Sequence, residues 1–153
     1  MSQWRRKATR LFPELCQAGP RGSHIWKENG YRSIYHLFFD LLPLAMNAHA
    51  AGDDTALKKV YGYAEWCFRS PIDDINNAVA VCFFEHLVDP EPRFWREFLP
   101  WVSEDVRIGV EGLWEWRLEQ QAGGFKLLQQ MQREIPPHRA RHTVYGDGSI
   151  RKL

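Results

Sequence analysis

The stretch DDTALKKVYGYAEWCFRSPIDDINNAVAVCFFEHLVD, residues 53–89, decides the fold. Leu57, Val60, Tyr61, Ala64, Cys67 and Phe68 recur at steps of three and four, which is one face of a helix. Beyond Ser70-Pro71 the pattern returns at Ile75, Ala78, Val79, Cys82, Phe83 and Leu87. A second apolar line, Val81, Phe84 and Val88, predicts that this helix is buried on more than one side. Pro71 ends the first helix and Asp73 is expected to cap the second, so the segment reads as a helical hairpin.

Working outward, residues 32–50 predict a long helix whose buried face is Ile34, Phe38, Leu41, Leu42 and Ala45, with a kink at Pro43. Gly52 should end it and Asp53 cap the next. Ser2 is expected to cap a first helix to about Leu11, followed by a short turn at Pro13. Downstream come a short helix over 91–98 and a helix from Ser103 to about Gln121 with Val106, Val110, Leu113, Trp114 and Leu118 inward. A last helix carries Phe125, Leu128, Met131 and Ile135 and stops at Pro136-Pro137. The expected fold is all-α: a compact array of about six or seven antiparallel helices over residues 1–137. Residues 138–153 form a basic tail that could make a small β-hairpin around Gly146-Asp147-Gly148.

At 153 residues, 44% apolar and 14% aromatic, the chain has the composition of one globular domain with a real core. Its seven tryptophans read either as a Trp-rich core or, in part, as a binding surface. Cys16, Cys67 and Cys82 show no metal-ligand spacing and read as reduced, buried thiols, with a Cys67–Cys82 bridge the weaker alternative. The basic N-terminus lacks the apolar run of a secretory signal, and the run from Ile34 to Ala51 is too interrupted to span a membrane, so a cytoplasmic protein is expected.

Net charge is +1, but residues 1–10 and 138–153 together carry +7 while residues 11–137 carry −6. That distribution argues against a duplex nucleic-acid binder and fits a basic protein partner better.

The chemistry-bearing residues form no convergent set. His36 and Asp40 lie one helical turn apart without a nucleophile or metal partner. Glu85-His86 lacks a second histidine for a zinc helix. Asp53-Asp54 and Asp73-Asp74 each open a helix, where capping accounts for them. No enzyme, cofactor or metal is therefore expected. One surface feature stands out: Glu104, Glu111, Glu115 and Glu119 share a helical stripe beside Trp116. Arg107 can neutralise Glu104 and Glu111, whereas Glu115 and Glu119 have no basic partner on the stripe. The stripe reads as a solvated face or as an acidic strip for a basic partner with Trp116 as anchor. In the tail, Arg139, Arg141 and Tyr145 add charge and an aromatic ring to the candidate partner-binding set.

Several motifs also carry a family resemblance. They are Leu11-Phe12-Pro13-Glu14-Leu15, the Tyr35–Leu42 helix, Tyr63-Ala64-Glu65-Trp66, and the Asn77–Leu87 helix with Asn77-Ala78, Val81, Phe83 and Glu85-His86-Leu87. Over residues 8–101 the chain resembles an uncharacterised bacterial all-helical family similar to the immunity proteins of polymorphic and contact-dependent toxin systems. The resemblance implies a non-enzymatic protein that occludes a cognate toxin domain. It also hints that Glu65 and Glu85-His86 form a buried polar pairing between the hairpin helices. The alternatives are a helical adaptor with another protein partner and, more remotely, an RNA binder using the basic tail.

Overall fold

The computed structural model describes residues 2–16, 26–27, 30–31, 33–137, 142–144 and 150–152. Among them the architecture is all-helical: α1 Gln3–Leu11, α2 Pro13–Cys16, α3 Ile34–Ala51, α4 Asp54–Phe68, α5 Asp73–Cys82, α6 Pro92–Phe98, α7 Glu104–Arg117 and α8 Gly124–Glu134. Two 3-10 segments, Phe84–Val88 and Leu99–Trp101, join α5 to α6 and α6 to α7. That is eight α-helices where about six or seven were expected. No described helix is long and apolar enough to cross a membrane.

The hairpin is present as α4 and α5, with α3 packed on both. Its second arm differs from the expectation. The α-helix stops at Cys82, Phe83 leaves helical geometry (φ −126°, ψ −72°), and the chain tightens into the 3-10 segment. Consecutive residues of an α-helix point about 100° apart, so a single face cannot bury both Phe83 and Phe84. Breaking the helix buries both, with Phe83 against Phe38 and Tyr61 and Phe84 against Phe68. The two-sided burial read from Val81, Phe84 and Val88 holds for Phe84 and Val88, while Val81 is half-buried.

Capping follows the sequence at the start of α4 and departs from it elsewhere. Gly52 ends α3 in the left-handed region at φ 65°, which suits glycine, and the Ala56 N–H donates to Asp53 at 3.1 Å. Ser33 caps α3 by accepting from the His36 N–H. Ile72, rather than Asp73, occupies the cap position of α5 and makes no side-chain cap bond. Ser2 stands at the cap of α1 but makes no cap bond either; its hydroxyl accepts from Arg5 instead. Pro43 lies inside α3 with its ring exposed.

The core is aromatic. Trp95, Trp101, Trp114, Tyr61, Tyr63, Phe38, Phe83 and Phe98 are fully buried. Tyr61 stacks on Trp101 at 5.9 Å and meets Phe83 edge-on at 5.6 Å. Three of their polar groups bond to buried carbonyls: Trp114 Nε1 donates to Phe84 O at 2.8 Å, Trp95 Nε1 to Val88 O at 3.2 Å, and Tyr63 OH to Trp4 O at 2.9 Å. Cys67 and Cys82 are buried free thiols, and burial pushes both thiols' pKa values up.

The extended pieces at Trp26–Lys27, Gly30–Tyr31, His142–Val144 and Ile150–Lys152 are two or three residues long and form no layer of the fold. The turn of the expected β-hairpin, Gly146-Asp147-Gly148, lies outside the described residues. Most of the expected tail, residues 138–141, 145–149 and 153, lies outside the described residues.

Candidate functional site

The acidic stripe lies on α7, and the way α7 is fixed to the body sets what its outer face can do. At its start Ser103 makes no cap bond of its own to the helix. Instead the Ser103 N–H and hydroxyl donate to the Glu65 carboxylate of α4 at 2.7 and 2.6 Å. Glu65 is 1% exposed, and burial pushes its pKa up to about 7 against the pull of Ser103 and Arg69. Arg69 reaches Glu65 at 3.5 Å and clamps Asp105 through two bonds of 2.9 and 3.0 Å, which holds the Asp105 carboxyl below its ordinary value. At the far end Arg117 clamps Asp89 at 3.0 and 2.7 Å, and His86 Nδ1 shares that carboxylate at 2.8 Å.

Arg107 corrects the sequence reading. It is not a surface residue and makes no ion pair within 4.0 Å with Glu104 or Glu111 among the described residues, although the Glu104 charge still favours its protonated form. Its side chain is buried and donates to the carbonyls of Val102, Leu99, Ile135 and Gln132, tying α7 to the chain before it and to the C-terminal end of α8. Those α8 carbonyls carry the partial negative charge of a helix end, which suits a guanidinium. Burial lowers the Arg107 pKa to about 10.

Held to the body through Ser103, Asp105, Arg107 and Arg117, α7 leaves one face outward. Ile108 is 68% exposed and Trp116 is 62% exposed, two turns apart, and the exposed Gly112 lies between them. Glu104, Glu115 and Glu119 are exposed beside this line, and Glu111 is half-buried. Glu111, Glu115 and Glu119 make no ion pair within 4.0 Å among the described residues, in contrast to Asp89, Glu91 and Asp105. Against α8, Glu115, Trp116 and Glu119 line one side of a cleft of about 600 Å3, with Phe125 and Lys126 across it. Thus the structure brings Glu115, Trp116 and Glu119 into one concavity. It places Glu104 at the opposite end of the helix. Arg139, Arg141 and the Tyr145 of the tail lie outside the described residues.

Sequence reasoning missed Ile108 and Gly112, although the period places both on the Glu stripe's side of the helix. The remaining candidates resolve into structural roles. His36 Nδ1 is 2.9 Å from Ser33 Oγ, in the cap of α3. Glu65 makes no described hydrogen bond or ion pair with Glu85 or His86, so the pairing expected between the hairpin helices is replaced by Glu65–Ser103 and by Glu85 lying 4.0 Å from His86. His49, passed over in the sequence, holds the buried Tyr61 hydroxyl through Nε2 at 2.7 Å. No group of three or more His, Cys, Asp and Glu among the described residues is placed to hold a metal ion.

Neither a curated protein nor a solved structure matches the chain. A family match does cover residues 6–119, from α1 through the end of α7, and so takes in the acidic helix that lay beyond the resemblance over 8–101. The family's description assigns it no activity or partner, and through this match the chain belongs to the family described as a domain of unknown function, DUF7674.

Proposed function

We propose that the protein is a non-enzymatic, cytoplasmic binding protein that neutralises a cognate toxin domain by steric occlusion, in the manner of an immunity protein. The observation that carries the protein-binding part is the outer face of α7, where Trp116 and Ile108 are exposed beside three glutamates without described ion pairs. An exposed tryptophan beside unpaired charge is the composition of an interface anchor with its rim. The bonds at Glu65, Arg107 and Arg117 support the same reading, because a face held in place before association loses less conformational entropy on binding. A basic active-site cleft on the toxin would meet the acidic residues. A stable one-to-one complex would bury roughly 1,200–2,000 Å2 in total.

The toxin assignment rests on the resemblance set out above and is tested directly. The chain is co-expressed with the product of the gene directly upstream of its own. Rescued growth and a co-purifying one-to-one complex are the expected result, and persisting toxicity rejects the reading. The same α7 face would equally serve an adaptor, which predicts a complex with a non-toxic neighbour.

A further inference from the structure

The cleft between α7 and α8 has a chemistry of its own. One wall is an exposed indole, Trp116, and two carboxylates, Glu115 and Glu119, stand one helical turn apart beside it. Phe125 supplies an apolar surface on the other side. Gly112 forms the edge, and a side chain placed there would meet nothing within 4 Å, so a ligand's backbone can approach α7 closely at that point. The indole already tolerates a cation nearby, since the Arg117 guanidinium carbon lies 5.9 Å from the ring centroid. That guanidinium is committed to Asp89, so it leaves Glu115 and Glu119 unneutralised.

We infer that this cleft receives an arginine side chain presented by a basic protein partner, its guanidinium stacked on Trp116 and paired with Glu115 and Glu119. The inference deepens the protein-binding reading above and rests on it. Arginine fits better than lysine for two reasons. A planar guanidinium can lie flat on an indole and still direct its N–H groups sideways to carboxylates, whereas an ammonium is a compact, strongly hydrated point charge. The aliphatic stem of arginine also has an apolar surface to cover in the half-buried Phe125. Lys126 lines the same cleft and opposes an incoming cation. With two carboxylates against one ammonium the lining remains negative, and Glu111 lies one turn further along α7.

The test uses the full chain and two probes, the tripeptide amide Ac-Gly-Arg-Gly-NH2 and its citrulline counterpart, which keeps the shape and loses the charge. Binding is read from the indole N–H signal of Trp116, assigned with Trp116→Phe, and independently from the Gly112 and Gly123 amides. The arginine peptide should give a saturable shift at all three, with the citrulline peptide roughly tenfold weaker, as expected for loss of two exposed ion pairs and a cation–π contact. Glu115→Gln combined with Glu119→Gln should weaken arginine binding by a similar factor, and Lys126→Ala should tighten it about two- to fivefold. Equal binding of the two peptides, or no saturable shift at these signals, overturns the inference. If toxin protection succeeds while the peptides fail, arginine capture alone falls. If the peptides bind while protection fails, the cleft stands and the toxin assignment falls.

Discussion

Two glycines of α7 separate fold from function at the level of single atoms. A Cβ added at Gly109 would lie 2.5 Å from Phe68 Cζ, and Phe68 is itself held edge-on against Phe84. Gly109→Ala should therefore destabilise the protein by about 1–3 kcal/mol, the range for overfilling a packed contact. At Gly112 the same addition meets nothing within 4 Å. Replacing an exposed mid-helix glycine by alanine should stabilise by about 0.5–1 kcal/mol. Denaturant midpoints of the two variants moving in the same direction would contradict this account. A glycine kept where alanine would be more stable is consistent with a surface that something approaches closely. Nothing in the sequence distinguishes the two, because both fit the helical period equally well. Arg107 gives the same lesson for charge: its spacing from Glu104 and Glu111 suggests a surface pair, and only the packing shows it bound to four carbonyls.

At the level of elements, the first turn of α7 is held by a residue from another helix. Glu65 of α4 accepts from both donors of Ser103, and Arg69 joins it to Asp105. Burial raises the Glu65 pKa from 4.5 to about 7, so between those values the folded state holds a proton that the unfolded state releases. Stability from this group is therefore complete below about pH 4.5, declines as pH rises, and is lost once pH passes about 7. The decline should be on the order of 3 kcal/mol, and Glu65→Gln, which can still accept the Ser103 N–H, should flatten it. Equilibrium unfolding across this pH window checks both, and an unchanged slope in the variant would exclude Glu65 as its origin. The periodicity placed Glu65 on a helix but gave no sign of its partner, since Ser103 is 38 residues away in sequence.

For the whole molecule, the separation of α7's inner and outer faces predicts that surface charge can be changed without touching the fold. Glu115→Lys combined with Glu119→Lys should leave the melting temperature within a few degrees, because neither residue makes a described ion pair and exposed pairs contribute little in any case. Association with the partner should slow at low salt, and the difference should shrink as salt rises. An association rate unchanged at low salt would remove the acidic face from the interface. The sequence by itself determined the all-helical class, the α4–α5 hairpin, most of the aromatic core and the glutamate stripe. Each of these follows from the spacing of residues within about one or two helical turns, and that spacing is fixed by backbone geometry. The tertiary structure alone decided that α5 breaks at Phe83, that Arg107 turns inward, that Glu65 caps α7, and that Trp116 faces a cleft against α8. Those outcomes depend on side chains brought together from distant parts of the chain, where the cost of burying a charge or leaving an aromatic ring in water is settled by which helix lies opposite.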